Sequence, residues 1–599
     1  MDTDDPGDLS DTSESNAGAV STLTIASLGF TACGGGDSSA PGPTGQSTST
    51  PSPAPSPGSA ASLNVQEKAA ARAVLHSAFS VSDDDIVTIV ANGFEAWLDG
   101  ELRRPNDGNA KQFFEAHGFD EIDTNAFWSR DYPLDYMIWS QLLQRGSGLR
   151  MRMALALSEI FVVSINELDI PWRSQAVGEY WDLLNKHAFG NFRELLEEVT
   201  LSPVVGVFLD HAGNTKADPS TGRMPDENYA REVLQLFTIG LFELNLDGSL
   251  KTNANTPIET YTNADVEGLA KVFTGFDLDY SDAEFLPDPR GRTNPIPEVK
   301  VIRRPMTADP KRWRIPQSTS THSSDEKRFL GTFIPPDTGP EQSLERALDH
   351  IFKHPNVAPF FSRQLILRLV TSNPSRGYVE RVARVFEDNG SGVRGDLEAT
   401  FKAAVTDPEA TGEHGLSDPT FGKLREPMIR FAQWGQTFGA RSPSETWQIR
   451  NIAGPSLLSQ APFRAASVFN FFRPNFSPPR SQASANNLLA PEFQIVDESS
   501  VPGYVNFMRR TIEGTGFWTD DIAADYEYEV SIANDVDALL NHLDLVLSGG
   551  QLRDASRELI RSAIEEVSIS ADSEDDDRLR RVQIGVMLIM CSNDYLIQK

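Results

Sequence analysis

Pro225-Asp226-Glu227-Asn228-Tyr229-Ala230-Arg231-Glu232-Val233-Leu234-Gln235-Leu236-Phe237-Thr238-Ile239-Gly240 predicts one amphipathic helix. At about 100° per residue, its apolar side is formed by Tyr229, Ala230, Val233, Leu236 and Phe237. Its polar side carries Glu227, Asn228, Arg231, Glu232 and Gln235, with Leu234 at the border. An early proline and a glycine near the end suit the two ends of a helix.

The polar side of this helix permits two interpretations. Glu227 and Arg231 are four residues apart, as are Asn228 and Glu232, so each pair can touch. One interpretation is a solvated face with ion pairs. The other is a buried polar constellation in which every group has a partner. The residues alone favour the solvated face, and they specify no nucleophile.

Helical periodicity continues on both sides of this segment. Apolar residues recur at three- and four-residue spacing through residues 69–79, 86–98, 132–143, 149–163, 176–187, 192–199, 342–353, 355–370, 378–387, 396–405, 424–438, 536–547, 556–567 and 579–591. Thr262 to Asp265 predicts a capping box that opens a further helix over 266–276. The fold class is therefore predicted to be mainly α, as a large multi-helix domain.

The stretch from residue 277 to about 335 interrupts this pattern. It is rich in Pro, Asp, Arg and Thr, and it contains one short apolar run, Val299–Ile302. A β-branched run bounded by turn residues predicts a strand. We expect a small irregular or β-hairpin insertion within the helical domain.

Composition excludes several classes of function. The 599 residues carry a formal net charge of -32. Nucleic acid is excluded as a partner, because phosphates require a basic face, and charge-driven docking on anionic lipid is excluded for the same reason. With only Cys33 and Cys591, a disulfide framework and a cysteine-based zinc cluster are excluded as well. No run of 18 or more apolar residues predicts a membrane-spanning helix.

The N-terminal region predicts a membrane anchor of another kind. A short, weakly polar run, residues 17–32, ends at Cys33 and resembles the signal of a bacterial lipoprotein, in which this cysteine is lipidated. Residues 34–62 are a Ser/Pro/Gly-rich stretch that predicts a disordered tether. The predicted organisation is a lipoprotein signal at 1–33, the tether at 34–62, and a helical domain at 63–599.

Three motifs recur in one known family. Residues 227–232 read Glu-Asn-Tyr-Ala-Arg-Glu, and the second motif comprises Tyr261, Thr262, Asp265, Val266, Ala270, Thr274 and Gly275. A third motif runs from His322 to Gly331. From about residue 65 to the C-terminus, the chain resembles the bacterial family called domain of unknown function 1800. In the third motif, Ser323 stands where the family has an acid.

The resemblance implies a candidate site but no reaction. It favours the buried interpretation of the polar face, and it singles out Glu227, Asn228, Arg231, Glu232, Asp265 and His322 as candidate catalytic residues. No cofactor and no metal is specified. Family members are often encoded beside a sulfatase-like family, which implies a sulfatase-like envelope protein as a partner.

We therefore expect a lipid-anchored protein of the cell envelope, an outer-membrane lipoprotein facing the periplasm or the exterior, that is accessory to an exported hydrolase. One alternative is a hydrolase on a polymeric substrate, with the carboxylates and His322 acting as acid/base or divalent-metal groups. Another alternative is a passive surface scaffold. An enzyme requires these groups to converge in one pocket, whereas a scaffold leaves them exposed and scattered.

Overall fold

A computed structural model describes residues 63–106, 109–146, 148–516, 518–569 and 575–599. These residues all belong to one unit, Ser59–Lys599. The predicted lipoprotein signal, its Cys33 and the tether at 34–62 lie outside the described residues.

The N-terminal part is a succession of short helices. They are α1 (Val65–Ser77), α2 (Asp83–Asn92), α3 (Phe94–Leu102), α4 (Ala110–Ala116), α5 (Tyr132–Leu142), α6 (Gly148–Ser158), α7 (Arg173–His187), α8 (Phe192–Leu201), α9 (Pro203–Phe208), α10 (Asn228–Glu232) and α11 (Asn263–Ala270). A π-helix, Val233–Thr238, follows α10 directly. Two 3-10 turns, Phe127–Ser129 and Ile165–Glu167, lie in the connections.

The C-terminal part repeats this construction. Its helices are α12 (Pro340–Phe352), α13 (Val357–Leu369), α14 (Arg376–Glu387), α15 (Leu397–Thr406), α16 (Pro408–Thr411), α17 (His414–Ser417), α18 (Pro427–Thr437), α19 (Gln482–Ala485), α20 (Ser500–Ile512), α21 (Glu527–Ile532), α22 (Val536–Leu543), α23 (Asp554–Glu565), α24 (Asp575–Cys591) and α25 (Asn593–Leu596). A second π-helix, Asp544–Ser548, follows α22. Further 3-10 turns are Val299–Val301, Pro310–Arg312 and Pro491–Ile495.

Strands form small antiparallel pairs. They are β1 (Thr252–Asn253) with β2 (Thr256–Pro257), β3 (Phe285–Leu286) with β4 (Ile296–Pro297), β5 (Lys327–Phe329) with β6 (Thr332–Ile334), and β7 (Lys423–Leu424) with β8 (Ile597–Gln598). The last pair joins the C-terminal residues to the segment that precedes α18. The prediction of a mainly α fold is confirmed, since every sheet in the described parts has only two strands.

The core runs through α6, which is buried on every side except near its start. A helix that is apolar all round belongs in an interior, and α7 and α13 pack against it. The large buried rings Trp139, Trp181 and Trp434 fill the surrounding space. Charged residues also enter this core: Arg152 of α6 is only 1% exposed.

Some helices and strands predicted from apolar spacing are wrong, because the local backbone conformation does not follow that spacing. The helix predicted over 86–98 is interrupted between α2 and α3 at Gly93, whose φ of 89° an L-residue rarely adopts. The predicted strand at Val299–Ile302 is wrong, because Val299–Val301 forms a 3-10 turn. The insertion at 277–335 contains two hairpins, β3–β4 and β5–β6.

Across the described residues, no helix combines the length and the apolar character needed to cross a membrane.

Candidate functional site

The signature segment changes helix type in its middle. α10 ends at Glu232, and the π-helix Val233–Thr238 continues it. The amides of Ile239 and Gly240 both donate to the Leu234 carbonyl, at 3.0 and 2.9 Å. A π-turn inserts one extra residue and rotates the side chains that follow it. The helix predicted over 225–240 is therefore shorter, covering 228–238, and its second half is a π-helix rather than an α-helix.

The polar face of α10 is half-buried and paired locally. Arg231 Nη2 lies 3.0 Å from Glu227 Oε2, and these side chains are 39% and 35% exposed. The same nitrogen donates to Asn263 Oδ1 on α11, at 3.3 Å. Asn228 Nδ2 donates to Asp210 Oδ2 at 3.2 Å rather than to Glu232. This arrangement lies between the solvated face and the fully buried constellation.

Glu232 is the one carboxylate of this face that is buried. It is 6% exposed, and its Oε2 has no hydrogen-bond partner among the described residues. Burial raises the pKa of Glu232, and the charge of Arg231 opposes that shift only in part. A π-helix and an unpaired carboxyl side by side are features that recur at functional sites.

Asp265 organises structure around the start of α11. Its Oδ2 accepts from the Thr262 amide and hydroxyl at 2.8 and 2.7 Å, which completes the predicted capping box. Its Oδ1 accepts from the Leu330 amide, in the β5–β6 turn, at 2.7 Å. Burial alone would raise the pKa of Asp265, but these hydrogen bonds outweigh it and lower the pKa.

The packing of α11 on this hairpin depends on a glycine. A Cβ at Gly268 would lie 1.7 Å from the Arg328 carbonyl oxygen, so the helix and β5 can meet this closely only at a residue without a side chain. Ala270, Thr274 and Gly275 of the second family motif follow this contact directly in the chain.

His322 joins three parts of the chain. Its Nδ1 lies 2.7 Å from the Thr274 carbonyl oxygen, and its Nε2 lies 3.3 Å from Ser343 Oγ on α12. Burial lowers the pKa of His322 to about 4, so the ring is neutral near pH 7. Both ring nitrogens lie within hydrogen-bond distance of protein groups. His322 therefore links the end of the α11 segment to α12, and neither nitrogen is free to act as a base.

The two cavities of the molecule that stand out lie elsewhere, and none of the six candidate residues lines either of them. The larger is a cleft of about 650 Å³. Its walls come from the start of α2, the end of α18, the start of α21, and the α22 segment with its π-helix. We call it the acidic cleft, for its four carboxylates Asp83, Asp525, Glu527 and Glu529.

Local structure aims these carboxylates into the cleft. Asp83 opens α2 behind the Ser82 cap and is 56% exposed, in the first turn that favours negative charge. Glu527 and Glu529 open α21, which is anchored by the buried Tyr526, whose hydroxyl accepts from Trp434 Nε1 at 2.9 Å. Asp525 accepts from the Glu527 amide at 3.1 Å, and it also pairs with Arg441, whose Nη2 lies 3.1 Å from its Oδ2.

A histidine stands between two of the acids. His542 Nε2 lies 3.0 Å from Glu529 Oε1, and its Nδ1 lies 3.9 Å from Asp83 Oδ1. The Tyr528 ring meets the His542 ring edge to face at 4.9 Å and is itself 53% exposed. The cation of the cleft, Arg145, donates to the backbone carbonyls of Gln436 and Val81 at 3.1 and 3.3 Å.

Comparison with known protein families gives one match. The family model described as "Protein of unknown function (DUF1800)" matches residues 72–597, nearly the whole helical unit. The chain belongs to this family. No curated protein and no solved structure matches the chain. The predicted resemblance to the family is confirmed.

In this DUF1800 chain, the described residues include no group of three or more His, Cys, Asp or Glu side chains arranged to hold a metal ion. The structure brings Arg231 and Glu227 of α10 against α11, whereas Asp265 and His322 each hold a different part of the surrounding structure. Most polar groups of the six candidates are thus already engaged by neighbouring protein groups.

Sequence reasoning missed the acidic cleft. Its members come from residues 81–83, 145, 436–439, 525–529 and 542–546 of the chain. The only local signal is the clustering of acids at helix starts, in Asp83-Asp84-Asp85 and in Glu527-Tyr528-Glu529. Such clusters ordinarily complement a helix dipole, so nothing in either segment points to the other.

Proposed function

We propose that the protein is a lipid-anchored envelope protein that binds a cationic ligand in the acidic cleft. The observation that carries this proposal is a space of about 650 Å³ lined by four carboxylates. Asp525 pairs with Arg441 and Glu529 with His542, whereas Asp83 and Glu527 are exposed to the space. A volume of this size suits a small molecule or a short stretch of polymer. Carboxylates that line a concave wall focus a negative potential and raise the local concentration of cations.

The rest of the lining favours an ammonium-bearing ligand with an apolar stem. Tyr528 offers a half-exposed ring face, and an ammonium group over such a face is stabilised by about 0.5–2 kcal/mol. Phe438, Val81 and Val546 lie beneath the charged groups in the lining, each 3% exposed or less, so most of the apolar contact would come from Tyr528. A polyamine, or a polymer with spaced amino groups, combines these two features.

The anchor remains part of the proposal. A lipidated Cys33 followed by the tether at 34–62 would hold the cleft at the cell envelope, in keeping with an outer-membrane lipoprotein. Labelling with a clickable fatty acid tests it: we expect label on the wild type and none on Cys33→Ser, and an unlabelled wild type would contradict the anchor. A sulfatase-like envelope partner, which the family resemblance implies, would be sought among proteins that copurify with the anchored form.

A second candidate function is hydrolysis of a polymer bound in the same cleft. Nε2 of His542 is held by the buried Glu529 at 3.0 Å, whereas its Nδ1 lies 3.9 Å from Asp83, beyond hydrogen-bond distance. Unlike His322, His542 therefore keeps one ring nitrogen that could act as an oriented base in the cleft wall. If the chain is a hydrolase, His542→Gln should abolish cleavage while ligand binding persists. A passive scaffold would neither bind nor cleave.

Calorimetric titration of residues 63–599 tests the binding proposal. We expect spermidine and polylysine to bind, with affinity falling as salt rises because the interaction is screened, and we expect polyglutamate and an uncharged sugar oligomer not to bind. The double variant Asp83→Asn/Glu527→Gln should weaken spermidine binding by about tenfold or more.

The matched control removes the same charge elsewhere. Glu558 and Glu566 are exposed residues at the C-terminal end of the chain, far in sequence from α2 and α21. Glu558→Gln/Glu566→Gln should bind spermidine like the wild type. Equal weakening by both double variants would mean that net charge, rather than the cleft, attracts the ligand. A wild type that binds neither spermidine nor polylysine would remove the proposal.

A further inference from the structure

Six charged side chains meet in the core, away from the acidic cleft. They are Glu159 (5% exposed), Glu426 (0%), Glu492 (2%), Arg152 (1%), Arg368 (6%) and Lys423 (3%). They come from α6 and the residue after it, from α13, from β7 and the cap of α18, and from the 3-10 turn at 491–495. Buried charges are costly unless each one is paired and hydrogen-bonded.

Five of the six side chains make at least one hydrogen bond, although Arg152 Nε and Arg368 Nε donate none within the described residues. Lys423 Nζ lies 3.1 Å from Glu426 Oε1 and 3.4 Å from Glu492 Oε1, and it donates to the Arg368 carbonyl at 2.9 Å. Glu426 Oε2 accepts from Gln460 Nε2 at 2.7 Å. The two arginines donate to carbonyls: Arg152 Nη2 to Arg368 O at 2.6 Å, and Arg368 Nη2 to Glu159 O at 2.8 Å.

Glu159 is the exception. Both of its carboxyl oxygens are buried and accept no hydrogen bond from the described residues. Arg368 Nε lies 3.4 Å from Glu159 Oε2, which is close enough for an ion pair but is not aligned for a hydrogen bond. The neighbour within hydrogen-bond reach is the Glu426 carboxylate. Two carboxylates can hydrogen-bond only if one of them carries a proton. Both Glu426 oxygens already accept from Lys423 and Gln460, so a bond between the two carboxyls requires the proton on Glu159.

Glu159 also faces a small cavity. This cavity, with a volume of about 10 Å³, lies between α6, Met428 and residues 462–471. Asn470 Nδ2, which is also buried and without a partner, belongs to its lining. The volume is about that of one water molecule, which requires two or more polar partners to be held in an interior.

We propose that Glu159 and Glu426 share one proton, that a water in the cavity joins Glu159 to Asn470, and that loss of the proton releases the cover segment, residues 465–471. When the proton leaves to solvent, two carboxylates face each other in the core and repel. Three residues of the cover segment, Ala465, Asn470 and Phe471, line the cavity beside Glu159. Other residues of the segment are exposed, so its opening would admit water to the pair. Arg464, paired with Asp131 at 2.8 Å, keeps the preceding residues attached.

The charges around the pair support a shared proton. Burial and the negative charge of Glu426 raise the pKa of Glu159 well above its usual value, against Arg368 and Lys423. Burial would raise the pKa of Glu426 as well, but Lys423, the hydrogen bond from Glu159, Gln460 and Arg152 lower it to about 2. Glu492 faces Lys423 from the remaining side, and Arg425 adds positive charge near Arg152.

The direction of the pH effect follows from the raised pKa. Unfolded Glu titrates near pH about 4.3, and folded Glu159 titrates higher. The folded state therefore binds this proton more tightly, so its stabilising contribution is complete below the unfolded value and is lost as pH rises through the folded value.

Hydrogen exchange tests this inference. In the wild type, we expect amide protection of residues 465–471, corrected for intrinsic exchange rates, to fall by about tenfold from about pH 5 to about pH 9. In Glu159→Gln, whose amide donates to Glu426 at every pH, protection should change by less than about twofold. Glu558→Gln is the exposed control and should follow the wild type. Parallel profiles for wild type and Glu159→Gln would overturn the proposal.

A second variant keeps the test decisive if Glu159→Gln does not fold. Asn470 has φ 63°, a conformation that aspartate tolerates. Asn470→Asp places a negative charge beside Glu159, which should hold the shared proton more tightly and move the loss of protection to higher pH. An unchanged midpoint in Asn470→Asp, or a wild-type cover segment protected equally at all pH values, would overturn the proposal.

Discussion

The signature segment and the acidic cleft are built alike, and they differ in what their carboxylates face. In each, a short helix runs into a π-helix, α10 into Val233–Thr238 and α22 into Asp544–Ser548. Around α10, Glu227 is engaged by Arg231 and Asp265 by Thr262 and the Leu330 amide, whereas the buried Glu232 keeps an oxygen without a partner in the described part of the chain. Around the cleft, Asp83 and Glu527 are exposed in a concave wall.

The residues that identify the family are therefore not the residues that are free to bind a ligand. In the signature segment, backbone amides and an arginine occupy most of the carboxylate oxygens. These contacts stabilise the fold and leave few hydrogen-bond acceptors for a ligand. Carboxylates that line an open space keep these acceptors available. Family membership therefore fits the structural role of the signature segment, whereas the proposed binding function rests on residues that the motifs do not include.

Asp265→Ala should have the largest effect around the signature segment. It removes the capping acceptor at the start of α11 and leaves the Leu330 amide unpaired, so we expect a loss of about 2 kcal/mol in the free energy of unfolding. Asp535→Ala, which removes a cap without a distant hydrogen bond, should cost only about 1 kcal/mol. Urea titration measures both. Equal losses would mean that the contact with the β5–β6 turn contributes nothing.

Glu232→Gln should have a smaller effect that depends on pH. Because burial raises the folded pKa of Glu232, ionisation destabilises the wild type increasingly as pH rises from its unfolded pKa through the folded value. We expect the variant to be more stable than the wild type by less than about 1 kcal/mol at about pH 8, and to match it at about pH 4. A variant that is less stable at about pH 8 would show that the carboxylate has a partner.

Arg231→Ala should have the smallest effect. The buried interpretation predicted a clear loss of stability, but the Arg231–Glu227 pair is 39% and 35% exposed, and such pairs contribute about 0.3–0.5 kcal/mol. Arg384→Ala is a matched control, since Arg384 also pairs with a glutamate four residues earlier. A loss above about 1 kcal/mol for Arg231→Ala alone would restore the buried constellation.

The parts of the fold that periodicity determines could be predicted from the sequence. Helices such as α7, α12 and α14 follow their apolar spacing, and the Thr262–Asp265 capping box is local by nature. The π-helix after α10 could not be predicted in this way, because an extra residue in a helical turn leaves no mark on spacing that is read at a fixed period.

The sequence could predict which segments contribute to the candidate site, but not the contacts of the individual side chains. Arg231 and Asn263 do meet across α10 and α11, but no pattern shows that both nitrogens of His322 face Thr274 and Ser343. The acidic cleft depends on packing between residues more than 400 positions apart, Asp83 and Glu529. Within each segment, these acids are what a helix start favours.

The central claim is that ligand binding belongs to the cleft and not to the signature segment. Its most direct test is a spermidine titration of two double variants that each remove two negative charges, Asp83→Asn/Glu527→Gln in the cleft and Glu227→Gln/Glu232→Gln on α10. We predict that the α10 variant binds within about twofold of the wild type, while the cleft variant binds at least about tenfold more weakly. An α10 variant that loses binding while the cleft variant keeps it would contradict the account.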